Sequence, residues 1–357
     1  MKKVLFVFNH PAPYKVRLLN TMAEYLDLDV IFERHNAKDR NQKFYFEQQF
    51  KFKLLPIRGK AVGKENFISK GIVEQLKRKK YDLIIMNGYS HQAERKAIKF
   101  IKRKKLPYCL YINGGIIAEK ESRLKKRYKT KFIKGASLYM SPDEISDKYL
   151  VYYGAPKNRI KRYTYSTIYE SEILKKPLSK DEVSSLKKEL GITAEKVYIS
   201  CGQLIPRKNY LELIKAWPTD KDKMLIIAGD GEQKKLIEDY IRTNYIQNVK
   251  LIGYLERNEV FKYYHISEAF LFPSLKDIYG HVINEALSQG LPIISFPNVN
   301  SAQKLIKNGE NGYIVNTIDE MISALDKLDS CKKENCIKTA KENTIEIMAE
   351  EHKKILA

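Results

Sequence analysis

The chain has 357 residues, 43% apolar and 30% charged, which is too long for one small domain, too apolar for a disordered or fibrous protein, and enough for two domains with their own cores. Its net charge is +22, and the whole excess lies in residues 1–170, with 38 Lys and Arg against 16 Asp and Glu; residues 171–357 hold 27 of each. No stretch approaches 18 consecutive apolar residues, which excludes a membrane-spanning helix.

Val4–Phe8 is a short apolar run, too short for the core of a signal peptide, and Asn9-His10-Pro11-Ala12-Pro13 ends it. Helical spacing follows through Val16, Leu19 and Met22 to about Leu26. Further apolar runs are Val30–Phe32, Tyr81–Met86 (stopped by Asn87-Gly88) and Tyr108–Ile112 (stopped by Asn113-Gly114-Gly115). Continuous apolar strands separated by helices predict a parallel sheet covered on both faces. Basic residues crowd Lys77–Lys80, Lys102–Lys105 and Arg123–Lys134. In the last, Leu124, Tyr128 and Phe132 fall at i, i+4, i+8, so a helix would carry an apolar stripe flanked by cations, suited to an anionic bilayer surface or to packing on a core. No helix-turn-helix, zinc-finger or RNA-recognition signature accompanies the charge, which argues against nucleic acid.

A polar join at about 164–190 contains Pro177. Ser179-Lys180-Asp181-Glu182 has the pattern of a capping box, with a helix to Leu190 and Gly191. Strands are expected at Val197–Cys201, Met224–Ala228, Val249–Ile252, Ala269–Phe272 and Pro292–Phe296, and helix-like spacing runs from about Ile337 to Leu356. The expected domains are 1–170, with a C-terminal helix at about 338–357 returning to it, and 171–337. Two doubly wound domains would face each other across a cleft, with ligands off the carboxyl edges of their strands. The four cysteines, Cys109, Cys201, Cys331 and Cys336, lack metal or redox spacing and read as buried or incidental thiols of a reducing cytosol.

The residues after each strand therefore carry the chemistry. Gly202-Gln203-Leu204 leads to Arg207 and Lys208 before a helix, either a diphosphate site or a surface turn with two solvated cations. Gly229-Asp230-Gly231 is a weak glycine signal, and Gly253-Tyr254-Leu255 is a tight turn at the same edge. Pro273-Ser274-Leu275-Lys276-Asp277-Ile278-Tyr279-Gly280-His281 precedes a helix bearing Glu285, and Gly290-Leu291-Pro292 opens the next strand. Two carboxylates eight residues apart, Asp277 and Glu285, could each accept hydrogen bonds from vicinal hydroxyls.

Residues 181–316 resemble the C-terminal domain of the retaining glycosyltransferases of family 4, which have the GT-B fold. That family carries a PS-x-x-E-x-FG-x4-EA-x4-G-x-P motif. The resemblance implies that Glu285 binds the ribose of a nucleotide-diphosphate sugar and Asp277 the sugar hydroxyls. The backbone of Ile278, Tyr279, Gly280 and His281 would approach sugar and diphosphate. Gly202 and Gln203 would stand in a G-R-L turn, Lys208 with Arg207 would hold the diphosphate, and Gly253, Tyr254 and Leu255 would meet the base. Asp for Glu at 277 and Gln for Arg at 203 depart from the pattern. Pro11–Arg17 resembles a loop of the enzymes of surface-polysaccharide assembly, where Tyr14, Lys15, His91, Asn113 and Gly114 are candidates to meet the acceptor.

The expected reaction is transfer of a sugar, with retained anomeric configuration, to a glycan or a polyprenyl- or other lipid-linked acceptor. It would take place in the cytoplasm at the inner face of the membrane, in capsule, O-antigen, teichoic acid or exopolysaccharide synthesis. No cofactor and no metal are expected. The pairs Asp27-Leu28-Asp29 and Asp220-Lys221-Asp222 precede strands, at the wrong edge of the sheet. Two alternatives stand: a nucleotide-sugar 2-epimerase of the same fold, for which no acid/base cluster is visible in the sequence, and a non-catalytic nucleic-acid or membrane-binding protein.

Overall fold

The computed structural model describes residues 1–34, 49–62, 66–118 and 120–356. The chain forms two compact units, Met1–Tyr165 with Ile345–Ala357, and Ser166–Thr344.

In the first unit the described strands are β1 (Lys3–Phe8), β2 (Asp27–Phe32), β3 (Lys53–Leu54), the hairpin pair β4 (Gly59–Val62) and β5 (Asn66–Ser69), β6 (Leu83–Asn87), β7 (Tyr108–Tyr111), β8 (Leu138–Ser141) and β9 (Ile160–Arg162). All but the hairpin join one parallel sheet in the order β3-β2-β1-β6-β7-β8-β9. The run Val4–Phe8 is wholly buried, as a strand covered by helices on both faces must be. The helix Pro13–Met22 opens with Pro at its first position, where the missing N–H costs nothing. The strand order reverses between β1 and β6, so the loops after those two strands diverge and leave a crevice at the carboxyl edge.

The second unit repeats the plan with β10 (Lys196–Cys201), β11 (Lys223–Ala228), β12 (Val249–Gly253), β13 (Ala269–Phe272), β14 (Ile293–Ser295) and β15 (Gly312–Ile314). Among the described residues they form a parallel sheet in the order β12-β11-β10-β13-β14-β15. Its reversal lies between β10 and β13. The capping box forms as expected: the Ser179 N–H donates to Glu182 Oε2 at 2.7 Å, and the Glu182 N–H to Ser179 Oγ at 3.3 Å.

Three expectations need correction. The spacing from Ile337 to Leu356 covers two helices, Lys333–Lys341 and Ile345–Leu356. Asn343 separates them by turning its side-chain amide onto the Thr339 carbonyl at 2.8 Å, the competition with the backbone that keeps Asn out of helix interiors. Cys336 and Ala340 of the former lie in the core of the second unit; the latter returns to the first unit. Asp27-Leu28-Asp29 does not precede a strand but opens β2, with Asp29 buried against Lys79 at 2.8 Å and the Tyr81 hydroxyl at 2.7 Å. The apolar stripe on the helix Arg123–Ile133 is broken: Phe132 is buried in the core, whereas Leu124 and Tyr128 are 80% and 48% exposed. The buried residues of that helix, Phe132 and Ile133, lie in its last turn.

Candidate active site

The reversal between β10 and β13 sets two loops of the second unit side by side. Seventy residues apart in sequence, Arg207 Nη1 and Asp277 Oδ2 meet at 3.1 Å, and Lys208 Nζ reaches the same oxygen at 2.6 Å. Backbone bonds fix the approach. The Leu275 N–H donates to the Arg207 carbonyl at 2.9 Å and the Asp277 N–H to the Asn298 carbonyl at 3.0 Å; Arg207 Nη1 also reaches the Lys276 carbonyl at 3.1 Å. Lys208 is buried, with its ammonium 4.2 Å from the centroid of the Phe272 ring; Arg207 remains 45% exposed.

Burial disfavours charge on Asp277, but Lys208 and then Arg207 outweigh it and hold the carboxyl below the ordinary range. Burial likewise pulls the Lys208 ammonium down, against the opposing pull of Asp277. The result is a compact group of two cations on one anion.

Gly280 makes the following turn possible. Its φ is +91°, and a Cβ there would lie 2.9 Å from Val299 Cγ1. Ser301 pins the turn, its N–H on the Tyr279 carbonyl and its hydroxyl on the Gly280 carbonyl, both at 3.0 Å. Ile278 is 56% exposed and Tyr279 buried; His281 stands at the start of the helix Val282–Ser288.

Glu285, on that helix, belongs to a second charged group. Arg257 Nη2 donates to Glu285 Oε1 at 2.7 Å, and Nη1 to the Thr167 carbonyl at 2.9 Å and Glu172 Oε1 at 3.3 Å. Burial opposes the Arg257 charge, but Glu285 and Glu172 overcome it and raise its pKa. Both groups act on the Cys201 thiol at the end of β10: burial pushes it up to about 12, with Glu285 adding to the rise and Lys208 opposing it. The structure thus brings Asp277, Arg207 and Lys208 together, and ties Glu285 to Arg257 in a separate charged group.

Gly202 and Gly253 belong to the same edge, where the Gly202 N–H donates to the Ala228 carbonyl at 2.9 Å and the Gly229 N–H to the Gly253 carbonyl at 2.7 Å. Gln203 and Tyr254 are half-buried beside them, and Leu255 packs against the core.

In the first unit the candidate residues are less uniform. The Tyr14 ring lies edge-on to Tyr165, with centroids 5.6 Å apart. Lys15 is a buried cation, its Nζ 2.6 Å from Asn9 Oδ1 and over the Phe8 ring. Asn113 and Gly114 are half-buried after β7, with Asn113 Oδ1 accepting from the Asn87 amide at 3.3 Å. His91 is buried; its Nδ1 bonds to Glu33 Oε2, and its backbone N–H donates to Glu94 Oε2 at 2.9 Å.

An acid/base cluster that the sequence did not disclose therefore exists: Glu33 directly after β2, His91 after β6, and Glu94 in the helix Gln92–Arg103. Burial pushes Glu33 up to about 8 and Glu94 to about 7. The three offer atoms within 4.8 Å of one another, a spacing a metal could use. The positive charges of Arg34, Lys15 and Arg95 act on Glu33 against its burial. Sequence reading missed Glu33, Glu94 and Arg257. The first signal was available, since Glu33 is the charged residue that ends an apolar run; Arg257 had only its place four residues after Gly253.

Residues 183–343 match the family model described as glycosyl transferases group 1. The chain is similar to the alpha-monoglucosyldiacylglycerol synthase of Acholeplasma laidlawii, 31% identical over 47% of this chain and 44% of that protein. It is also similar to the UDP-Gal:alpha-D-GlcNAc-diphosphoundecaprenol alpha-1,3-galactosyltransferase of Escherichia coli, 32% identical over 39% of each. It spans less than half the length of these two relatives. Among solved structures, Anabaena HepE in complex with UDP and glucose superposes with a TM-score of 0.72 at 17% identity, over 100% of this chain and 99% of that one. WaaG, a glycosyltransferase involved in lipopolysaccharide biosynthesis, does so with a TM-score of 0.71 at 15% identity, over 99% of each. Residues 183–343 thus carry the pattern of the glycosyl transferases group 1 family, and the chain has the GT-B fold, two Rossmann-like domains.

Proposed function

We propose that the protein is a retaining, metal-independent glycosyltransferase that takes a sugar from a nucleotide diphosphate and gives it to a glycan or lipid-linked acceptor in surface-polysaccharide synthesis. The observation that carries this reading is the meeting of Arg207 and Lys208 with Asp277 beside the switch point of the second sheet, with Glu285 on the helix that follows and held by Arg257. In this reading Glu285 accepts hydrogen bonds from the ribose diol, Asp277 from sugar hydroxyls, and the turn Ile278–His281 offers backbone N–H groups. As the glycosidic bond breaks, negative charge grows on the departing diphosphate. Lys208 and Arg207, fixed in place before the reaction, stabilise that charge without reorganising. Gly253, Tyr254 and Leu255 form the floor for the base.

The names of the two relatives, one a synthase of a glucosyldiacylglycerol and one acting on a diphosphoundecaprenol, support a lipid-bearing acceptor. The first unit is its proposed seat, around Tyr14, Lys15, Asn113 and Gly114. The exposed Leu124 and Tyr128 on a helix of cations support contact with an anionic membrane surface, at its cytoplasmic side.

The test is release of nucleoside diphosphate by purified protein given a panel of nucleotide sugars and an extract of lipid-linked glycans. Lys208→Ala is expected to cut turnover at least about a hundredfold, as removal of one charge-stabilising donor does, and Glu285→Ala, which removes the acceptor of the ribose diol, to lower kcat/KM at least about tenfold; wild-type rates in both would refute the reading.

The cluster of Glu33, His91 and Glu94 favours a second reading, a nucleotide-sugar 2-epimerase, because two of its acids titrate near neutrality. Their burial weighs against contact with a sugar. An epimer formed from a nucleotide sugar without acceptor would decide for it.

A further inference from the structure

Arg257 opens the helix Arg257–His265, and its guanidinium has two sets of partners. Nη2 serves Glu285; Nη1 serves the Thr167 carbonyl and Glu172. Thr167 and Glu172 lie in the first residues of the second unit, which begins at Ser166. The same segment is laid along the end of the Glu285 helix: the Leu174 N–H donates to the Ser288 carbonyl at 2.9 Å, and Gln289 Nε2 to the Glu172 carbonyl at 2.9 Å. Within it, the Tyr169 N–H donates to Glu172 Oε2 at 2.8 Å, so the carboxylate that Arg257 holds also closes the local turn.

We propose that Arg257 is a positioning residue that couples occupancy of Glu285 by a nucleotide ribose to the order of the segment 166–174. The proposal rests on the reading of Glu285 as the ribose carboxylate. A guanidinium is a rigid planar fork whose donors cannot turn independently. A diol that donates two hydrogen bonds to Glu285 draws electron density away from Oε1. Arg257 then commits more of its charge to Thr167 and Glu172, and the Glu172 carboxylate, held more firmly, keeps its bond to the Tyr169 N–H. The two acids also oblige Arg257 to stay in one rotamer, which fixes the Glu285 carboxylate before the ribose arrives.

Hydrogen exchange at the Tyr169, Glu172, Ile173 and Leu174 amides tests this on the full chain, with UDP as the probe and GDP as a second. Saturating UDP is expected to slow these amides about tenfold in the wild type, equivalent to about 1.4 kcal/mol, whereas 2′,3′-dideoxy-UDP, which lacks the diol, binds without slowing them. Arg257→Met and the charge-conserving Arg257→Lys each weaken UDP binding about tenfold and lose the protection even at saturation. Glu172→Gln keeps UDP affinity within about twofold but loses the response at Tyr169. UDP bound by the wild type with no slowing, or slowing unchanged in Arg257→Lys or with the dideoxy probe, overturns the coupling while leaving the donor-site reading standing. If neither UDP nor GDP binds the wild type, the ribose assignment of Glu285 fails and the coupling falls with it.

Discussion

Asp277 accepts two cations on a single oxygen, and its loss leaves Lys208 buried beside a second positive charge. Asp277→Asn keeps the shape and removes the counter-charge. The expected cost, read from urea unfolding, is about 3 kcal/mol, the low end for breaking a buried pair. Because the native carboxyl titrates below its unfolded value, the stability it supplies is complete above the ordinary carboxylate range and is lost as pH falls through the depressed native pKa. The Asn variant should therefore lose part of the acid sensitivity of the wild type. Gly229 is constrained by both space and backbone. A Cβ there would come within 1.9 Å of the Gly202 carbonyl oxygen, at a φ of +154°. Gly229→Ala must push β10 and β11 apart at the edge that carries the site, and a melting temperature lower by about 4 °C is expected from a cost of roughly 3 kcal/mol in a chain of this size.

Among the elements, the helix Ile345–Leu356 offers the clearest titration. His352 is wholly buried against Tyr111 and Tyr163, and burial lowers it to about 4, against the bond of Nδ1 to the Met348 carbonyl. The unfolded chain binds a proton that the native helix refuses, so stability falls as pH drops from about 6.5 to about 4, by roughly 3 kcal/mol from this group. His352→Phe should flatten that slope in thermal melts between pH 4 and 7. The elements legible in the sequence were those with continuous apolar runs: β1, β6, β7, β10, β11 and β13 are read almost residue for residue. Unread were β3 and β9, where Lys53, Lys161 and Arg162 break the apolar pattern, the hairpin pair β4 and β5, the short buried strand β8, and β15, a three-residue strand opening with Gly312. The site shows the same division. Arg207, Lys208, Asp277 and Glu285 stand just after strands or on the helix that follows one, in a recognisable order. Arg257 takes its meaning from Glu172, 85 residues away, and His91 from Glu33, 58 residues away; only the folded topology supplies those partners.

At the scale of the molecule, the charge is the dominant asymmetry: +22 on residues 1–170 and none on the rest. Vesicles containing phosphatidylglycerol should bind the protein, and neutral vesicles should not. Binding should fade between 0.15 M and 1 M salt, as the screening length shrinks from about 8 to 3 Å. Leu124→Glu, a substitution at a side chain 80% exposed, should weaken vesicle partition about tenfold without changing the melting temperature; unchanged partition would remove this helix from the membrane reading. The return of the last described helix has a consequence for biosynthesis. Lys2 Nζ holds the Leu356 carbonyl at 3.0 Å, the Tyr25 hydroxyl holds that of Ala349 at 2.7 Å, and Glu351 accepts from the Thr164 N–H. The part of the first unit that is synthesised before Ser166 thus waits for residues 345–356 before its core is sealed. The second unit, contiguous from Ser166 to Thr344, has no such wait, so translation and completion of folding run in opposite orders.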